Sequence, residues 1–364
     1  MSAVLPVLSL LAAVAQTPAV DGPERLRVLA RDGPQTALIT EVRDRPDDVR
    51  DALRQLLALA GSGDTSPRSL IAADHLAAAY AVAWRDSFLL RQVSRFRAWT
   101  PDGRRTKVAA DSLRLAGNKA LGQSGVAAAL RLWRESVRSA AGIGDTAGIA
   151  AGLGNIGRGF YELRELDSAE AYWSRSADLA ERVGDVRTAG NAVGNLASVQ
   201  KDRGDLRQAE SLYARAGAIR LRSGDARGLA ADENNRGLIA QTLGDFAGAR
   251  RAFEAALAAN RHAGRRGPAA LNLVNLANLA ALSGEPEAAA GRYREALALY
   301  RAEDDRPGAA EVWHDIGLLR SNRGDYAGAI GALAASLAIY EVTGPAPDIA
   351  AVRRDLADVR AATG

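Results

Sequence analysis

The chain of 364 residues has no cysteine, one methionine and three histidines, and only 5% of it is aromatic. Each scarcity excludes something. Without cysteine there is no disulfide, thiolate metal site, cysteine nucleophile or lipid-modified N-terminal cysteine. His75, His262 and His314 stand far apart, and none has a second ligand at metal spacing. No metal, cofactor or catalytic residue is therefore expected, and the chain reads as a non-enzyme. Lysine occurs only at Lys107, Lys119 and Lys201, so the 47 basic residues are nearly all arginine, against 43 acidic ones for a net charge of +4. No stretch combines five or more basic residues with interleaved aromatics, and no nucleic-acid partner is expected.

Long apolar runs are also missing, so no integral membrane span is expected in the mature chain. The first residues, "MSAVLPVLSLLAAVAQTPAV", come nearest. Their apolar run from Ala3 to Ala15 ends in the small-x-small triplet Ala13-Val14-Ala15, ahead of Gln16. That is the length of a signal-peptide core, although no Lys or Arg precedes it. The expectation is a signal peptide over 1–15 and an exported (periplasmic or extracellular) protein. The alternative is an apolar helix packed on the rest of a cytoplasmic chain.

What is present is alanine, leucine and valine, which make up most of the 48% hydrophobic content. Such a composition favours helices that cross closely rather than a thick core. Residues 16–105 read as an N-terminal helical region. In it "PDDVRDALRQLLALAG" opens on Pro46 and ends before Gly61. "GSGDTSP", 61–67, reads as a linker, and 68–100 as a possible degenerate repeat broken near Trp84-Arg85-Asp86. "TPDGRR", Thr100 to Arg105, reads as a turn-rich boundary.

From about Thr106 the sequence keeps a forty-residue register. Gly144, Gly184, Gly224, Gly264 and Gly344 share one column, with Asp304 in the missing place. Gly117, Gly157, Ala197, Gly237, Ala277, Gly317 and Ala357 share a second. Ala129, Ala169, Ala209, Ala249, Ala289 and Ala329 form a third, each followed four residues later by Trp133, Trp173, Tyr213, Phe253, Tyr293 or Leu333. Breaks fall at Gly204-Asp205, Gly244-Asp245, Gly284-Glu285 and Gly324-Asp325, whose carboxylates suit helix N-caps. Each unit is thus helix A, a tight turn, helix B and a loop, with A helices predicted near 107–121, 147–162, 187–202, 227–242, 267–282, 307–322 and 347–361. The small columns are predicted to let helices cross at about 8 Å. The bulky column is predicted to fill the groove toward the next unit. One unit cannot bury its apolar face alone, so stacking supplies the stability.

In "NLASVQKDRGDLRQAESLYARA" these features fall on Leu196-Ala197, Gly204-Asp205, Ala209, Tyr213 and Ala216. The order resembles that of tetratricopeptide repeats. Its forty-residue period is similar to the longer variant in kinesin light chains and in the arrays that precede bacterial caspase-like CHAT peptidase domains. The resemblance implies an all-α, right-handed superhelical solenoid over 106–364, of about six repeats plus a C-terminal capping helix. Arg236, at a usually apolar position, and Arg164-Glu165, in place of Gly-Asp, depart from the pattern.

"GLGNIG", Gly152 to Gly157, matches the dinucleotide fingerprint, but its glycines lie inside a predicted helix with no preceding strand. The asparagine column is more informative. Asn155, Asn195, Asn235 and Asn275 continue as Asp315 and Asp355. The resemblance places that position on the concave groove, together with Arg158, Tyr161, Asn191, Ser198, Lys201, Asn234, Gln241, Asn278, Glu311 and Asn322. It thereby implies a non-catalytic scaffold whose groove binds a protein or peptide, with self-association also open. A carboxamide carries two N–H donors and an acceptor oxygen, so a ladder of them can hold an extended backbone. The competing reading has each Asn bonding the adjacent helix, because Asn mid-helix needs a local partner. A second functional expectation is the sensor or regulatory half of a CHAT-type peptidase system whose catalytic domain is elsewhere.

Overall fold

The computed structural model describes residues 22–61 and 68–362. The apolar run at 3–15 and most of the 61–67 stretch lie outside them. The described residues are helical throughout, joined by short turns, and divide into two compact units at Asp225 and Ala226.

Unit 1 begins with a small bundle: α1 (Gly22–Asp32), α2 (Gln35–Asp44), α3 (Pro46–Gly61), α4 (Arg68–Trp84) and α5 (Phe88–Ala98). Their apolar faces meet around Leu26, Val42, Leu53, Leu76, Tyr80 and Phe96, all buried. Arg85 makes the break between α4 and α5, at a left-handed φ of 52°. Helix pairs follow: α6 (Pro101–Gln123) with α7 (Val126–Gly142), α8 (Thr146–Glu162) with α9 (Leu166–Val183), and α10 (Val186–Arg203) with α11 (Leu206–Ser223). Unit 2 continues the pattern with α12 (Ala226–Thr242) and α13 (Phe246–His262), α14 (Arg266–Leu282) and α15 (Pro286–Ala302), and α16 (Arg306–Asn322) and α17 (Tyr326–Thr343). The single helix α18 (Ala346–Ala361) follows.

The A helices begin and end within about one residue of the ranges predicted from the register, except the first. Thr100–Arg105 is not a boundary loop. Thr100 Oγ1 accepts a 3.1 Å hydrogen bond from Gly103 N, and Pro101 sits at the first helical position, so α6 starts there. The mid-repeat Asp205, Asp245 and Asp325 cap their B helices by accepting from the third backbone N–H, at 2.8–3.1 Å. Glu285 does not. Its longer side chain reaches out to Arg250 at 2.7 Å instead. At the one mid-repeat turn without glycine, Arg164 takes a φ of 63° and its guanidinium bonds Asp202 at 2.9 Å.

The small column has a different partner from the one expected. Its glycines face the bulky residue of their own repeat, and a facing backbone atom is among the nearest atoms only at Gly317, where Leu333 N is 3.4 Å from the Cβ position. A Cβ at Gly117 or Gly237 would lie 2.5 Å from Cδ1 of Trp133 or Phe253. At Gly157 it would lie 2.7 Å from Cδ1 of Trp173, and at Gly317 2.6 Å from Cγ of Leu333. The missing methyl is the slot into which the ring settles. The ring also reaches the next repeat: Cζ3 of Trp133 comes 3.2 Å from the Cβ position of Gly159, and Trp133 shares a buried cluster with Leu153 and Ile156. The two repeats with alanine in the slot, Ala197 and Ala277, are those whose bulky residue is tyrosine. Tyr213 shares a 2.8 Å hydrogen bond with Ser198, and the Tyr293 hydroxyl bonds Asn278. The third column, Ala129 through Ala329, is fully buried in every repeat. Ser136, Ser176 and Ser336 tie helix B to helix A by donating to the carbonyls of Ala110, Ala150 and Ala310 at 2.7–2.8 Å.

The slot makes a prediction whose sign opposes helix propensity. Gly→Ala in a helix interior normally stabilises by about 1 kcal/mol. Gly237→Ala is expected to destabilise by about 1–3 kcal/mol, because Phe253 must move. Ala249→Leu, in the fully buried column, is expected to cost a similar amount. Urea melts of both variants check this; a Gly237→Ala chain as stable as the parent would refute the slot.

Candidate functional site

The small bundle of unit 1 lies along its array at one repeated position. Trp99 Nε1 donates to Ile143 O at 3.0 Å, Arg91 Nη2 to Val183 O at 3.3 Å, and the Tyr80 hydroxyl to Ser223 O at 3.4 Å. Those three carbonyls are forty residues apart, each just ahead of a loop glycine. Gly184 and Gly224 are in the left-handed region at φ 72° and 67°. They also leave room for the bundle, since a Cβ would lie 2.6 Å from Arg91 Nη2 or from Trp84 Cζ2.

Each of these loop glycines is followed by a buried aspartate. Asp145 pairs with Lys107 at 2.8 Å, Asp185 with Arg50 at 2.7 Å, and Asp225 with Arg220 at 2.5 Å. Arg187 adds a 2.6 Å pair to Asp47. Burial alone would push the Asp185 carboxyl up. The Arg50 charge, its hydrogen bond and two bonds from Thr188 outweigh that and hold it below the usual carboxylate range. Burial likewise opposes the charge on Lys107, but Asp111 and Asp145 raise its pKa overall.

Between the bundle and the A helices this leaves a cavity of about 630 Å³, in the size range of ligand pockets. Helix α3 supplies Asp47, Arg50 and Arg54 to one wall, and α6, α8 and α10 supply the other. Four residues predicted from the sequence line it: Asn155, Arg158, Asn191 and Asn195. The contribution of α3 was not predicted. Of the recurring carboxylates Asp145, Asp185 and Asp225, only Asp185 takes its cation from α3, so the repeat pattern gave little signal of it. The charges in the wall largely satisfy one another. Arg114 and Arg158 are the loosest, with carboxylates no closer than 3.9 and 3.8 Å.

Within each unit, many of the A-helix polar residues join neighbouring repeats. Asn155 Nδ2 donates to Asn118 Oδ1 at 2.8 Å, and that oxygen also accepts from Trp133 Nε1 at 3.0 Å. The Tyr161 hydroxyl donates to Asp202 at 2.8 Å. In unit 2, Asn234 Oδ1 accepts from Asn275 Nδ2 at 2.9 Å and from Asn272 Nδ2 at 3.0 Å. His314 Nε2 pairs with Asp355 at 2.7 Å. Asn191 Oδ1 accepts from Arg220 at 2.8 Å. Asn195 and Asn235 make no side-chain hydrogen bond among the described residues. Lys201 lies further along α10, outside the cavity lining, and Asn322 is exposed at the end of α16. The "GLGNIG" glycines are packing slots in α8: Gly152 faces Val137 and Gly157 faces Trp173.

Asp315 differs from the asparagines of its column. Burial raises its pKa to about 6, the nearby Glu311 adds to the rise, and the Asn278 hydrogen bond and His314 oppose it. Between its ordinary value of 3.8 and about 6, the folded chain keeps a proton that the unfolded chain has released. Unit 2 should therefore lose stability as pH rises through that window. Asp315→Asn is expected to remove the slope and raise stability at neutral pH by about 1–3 kcal/mol. Thermal melts at about pH 4.5 and about pH 7.5 test it; parallel pH dependences for parent and variant would exclude it.

No protein-family model and no curated protein matches the chain. Solved structures do. A signal transduction ATPase with numerous domains (STAND) carrying a tetratricopeptide repeat sensor, from Pyrococcus horikoshii, aligns at TM-score 0.63 and 14% identity. The alignment covers 98% of this chain and 62% of that one. Aspartyl phosphate phosphatase F from Bacillus subtilis aligns at TM-score 0.52 and 12% identity, over 95% of this chain and 96% of that one. The apo form of RapI gives 0.52 and 13%, over 69% and 97%. Identities this low establish a shared fold alone. Together with the forty-residue register and the paired helices of both units, they give this chain the fold of a tetratricopeptide repeat protein.

Proposed function

We propose that this chain is a non-catalytic scaffold that binds an extended stretch of a protein or peptide, with the cavity of unit 1 as its principal seat. The observation that carries this reading is the convergence of Asn155, Asn191 and Asn195 on that cavity. An extended backbone brings N–H and C=O groups that must stay paired when water is displaced. The free carboxamide of Asn195 can donate to a carbonyl and accept from an N–H at once. The Asn191 amide keeps both donors, since only its oxygen is engaged. Because the wall charges mostly pair among themselves, recognition falls to these neutral groups, and binding should weaken only mildly with added salt.

The asparagines then fall into two groups. Asn155→Ala and Asn275→Ala each remove a tie between repeats and should cost about 0.5–1.5 kcal/mol of stability. Asn195→Ala removes no internal bond and should melt with the parent. Equal losses in all three urea melts would show that the grouping is mistaken.

Function is tested by panning a displayed random-peptide library against the full chain and re-measuring the enriched peptides in solution. Asn195→Ala should weaken them about two- to tenfold. No enrichment from such a library, or peptides indifferent to both Asn195→Ala and Arg158→Ala, would overturn the proposal.

A further inference from the structure

Beside the first cavity, unit 1 holds a second one of about 540 Å³, and its chemistry is different. Its floor is apolar: Leu57 from α3, Phe88 and Phe96 from α5, Trp99 beyond α5, and Val183 from α9. Leu57, Phe88 and Phe96 are buried, and the Phe96 and Trp99 rings meet edge to face at 6.2 Å. Three guanidiniums stand at the rim: Arg91 and Arg95 on α5, and Arg182 on α9. Arg91 has only neutral partners, Ser87 Oγ at 2.5 Å and Val183 O at 3.3 Å. Arg95 and Arg182 have no side-chain partner among the described residues. The one carboxylate in the lining, Asp145, is matched by Lys107 at 2.8 Å.

The contrast with the first cavity decides the ligand class. There, arginines meet aspartates across the wall and the charge is spent internally. Here, three cations face one apolar hollow with no carboxylate left to them. Arginine is suited to an anionic head because its planar fork donates two parallel N–H groups to a carboxylate. The aromatic and aliphatic floor would shed water onto a hydrocarbon body. A purely ionic ligand would leave that floor wet, and a purely apolar one would leave the guanidiniums unanswered.

From this geometry we infer that the second cavity binds a small amphipathic carboxylate, with its hydrocarbon body against Trp99 and Val183, above the buried Phe88 and Phe96, and its head among Arg91, Arg95 and Arg182. This goes beyond the peptide-binding reading and stands without it.

Calorimetric titration of the full chain with decanoate, decan-1-ol and acetate tests the inference. Decanoate should bind with one-to-one saturation, decan-1-ol should bind at least about tenfold more weakly, and acetate should not bind. Arg95 and Arg182 are exposed, so the Arg95→Ala/Arg182→Ala chain should melt with the parent while losing at least about tenfold in decanoate affinity. Equal affinity for decanoate and decan-1-ol would overturn the inference on the unaltered protein, whatever the variant does. So would unsaturable, detergent-like uptake, or undiminished decanoate binding by a folded double variant.

Discussion

The structure depends on one contact made again every forty residues: a large side chain of helix B seated where helix A lacks one. Trp133 over Gly117, Trp173 over Gly157 and Phe253 over Gly237 are the same event with different rings. The contact fixes the crossing of the two helices, because a ring admits one depth and one angle far more narrowly than an aliphatic stripe would. With the crossing fixed, the Ala column can be pressed to zero exposure and the serines can reach a carbonyl on the facing helix. Repeating one crossing is also what makes neighbouring repeats present equivalent faces.

The polar chemistry is organised by the same repetition. Residues thirty-seven or forty-one apart come opposite each other on successive A helices, which is why Asn118 meets Asn155 and Asn234 meets Asn275. The asparagine column therefore serves two ends. Some members stitch repeats together, while Asn195 has its carboxamide free at a cavity wall. Placing an asparagine mid-helix costs helix propensity, and the bonds between repeats offset that cost where they form.

In unit 1 the N-terminal bundle turns a repeat surface into a pair of half-open cavities. It does so by using the loops as a rail, with Trp99, Arg91 and Tyr80 reaching three equivalent carbonyls. The two cavities lie side by side and share Leu57, Gln92, Lys107 and Ala147, yet differ in charge balance. In one, oppositely charged side chains face each other across the wall. In the other, three arginines stand over a largely apolar floor, and the one lining carboxylate, Asp145, is held by Lys107.

Much of this was legible in the sequence. The all-α class, the A-helix ranges and the slot and ring columns all follow from periodicity, because a helical repeat writes the same local demands at the same interval. Four of the residues lining the first cavity were legible for the same reason. The capping of α6 by Thr100 was readable in principle, but Gly103 so close by suggested a turn. The partner of each small residue was not readable, since spacing shows that room is needed and not which side chain takes it. Nor was the split among the asparagines, because identical residues at identical positions differ only in what the neighbouring repeat places opposite them. Least readable of all was the bundle. Arg50 and Asp185 are 135 residues apart and share no periodicity, so only the folded chain could bring them to 2.7 Å. The sequence by itself determined the repeat and the faces it presents, through short-range sterics. The tertiary structure alone decided which of those faces would be covered, because covering is set by long-range packing that no local pattern encodes.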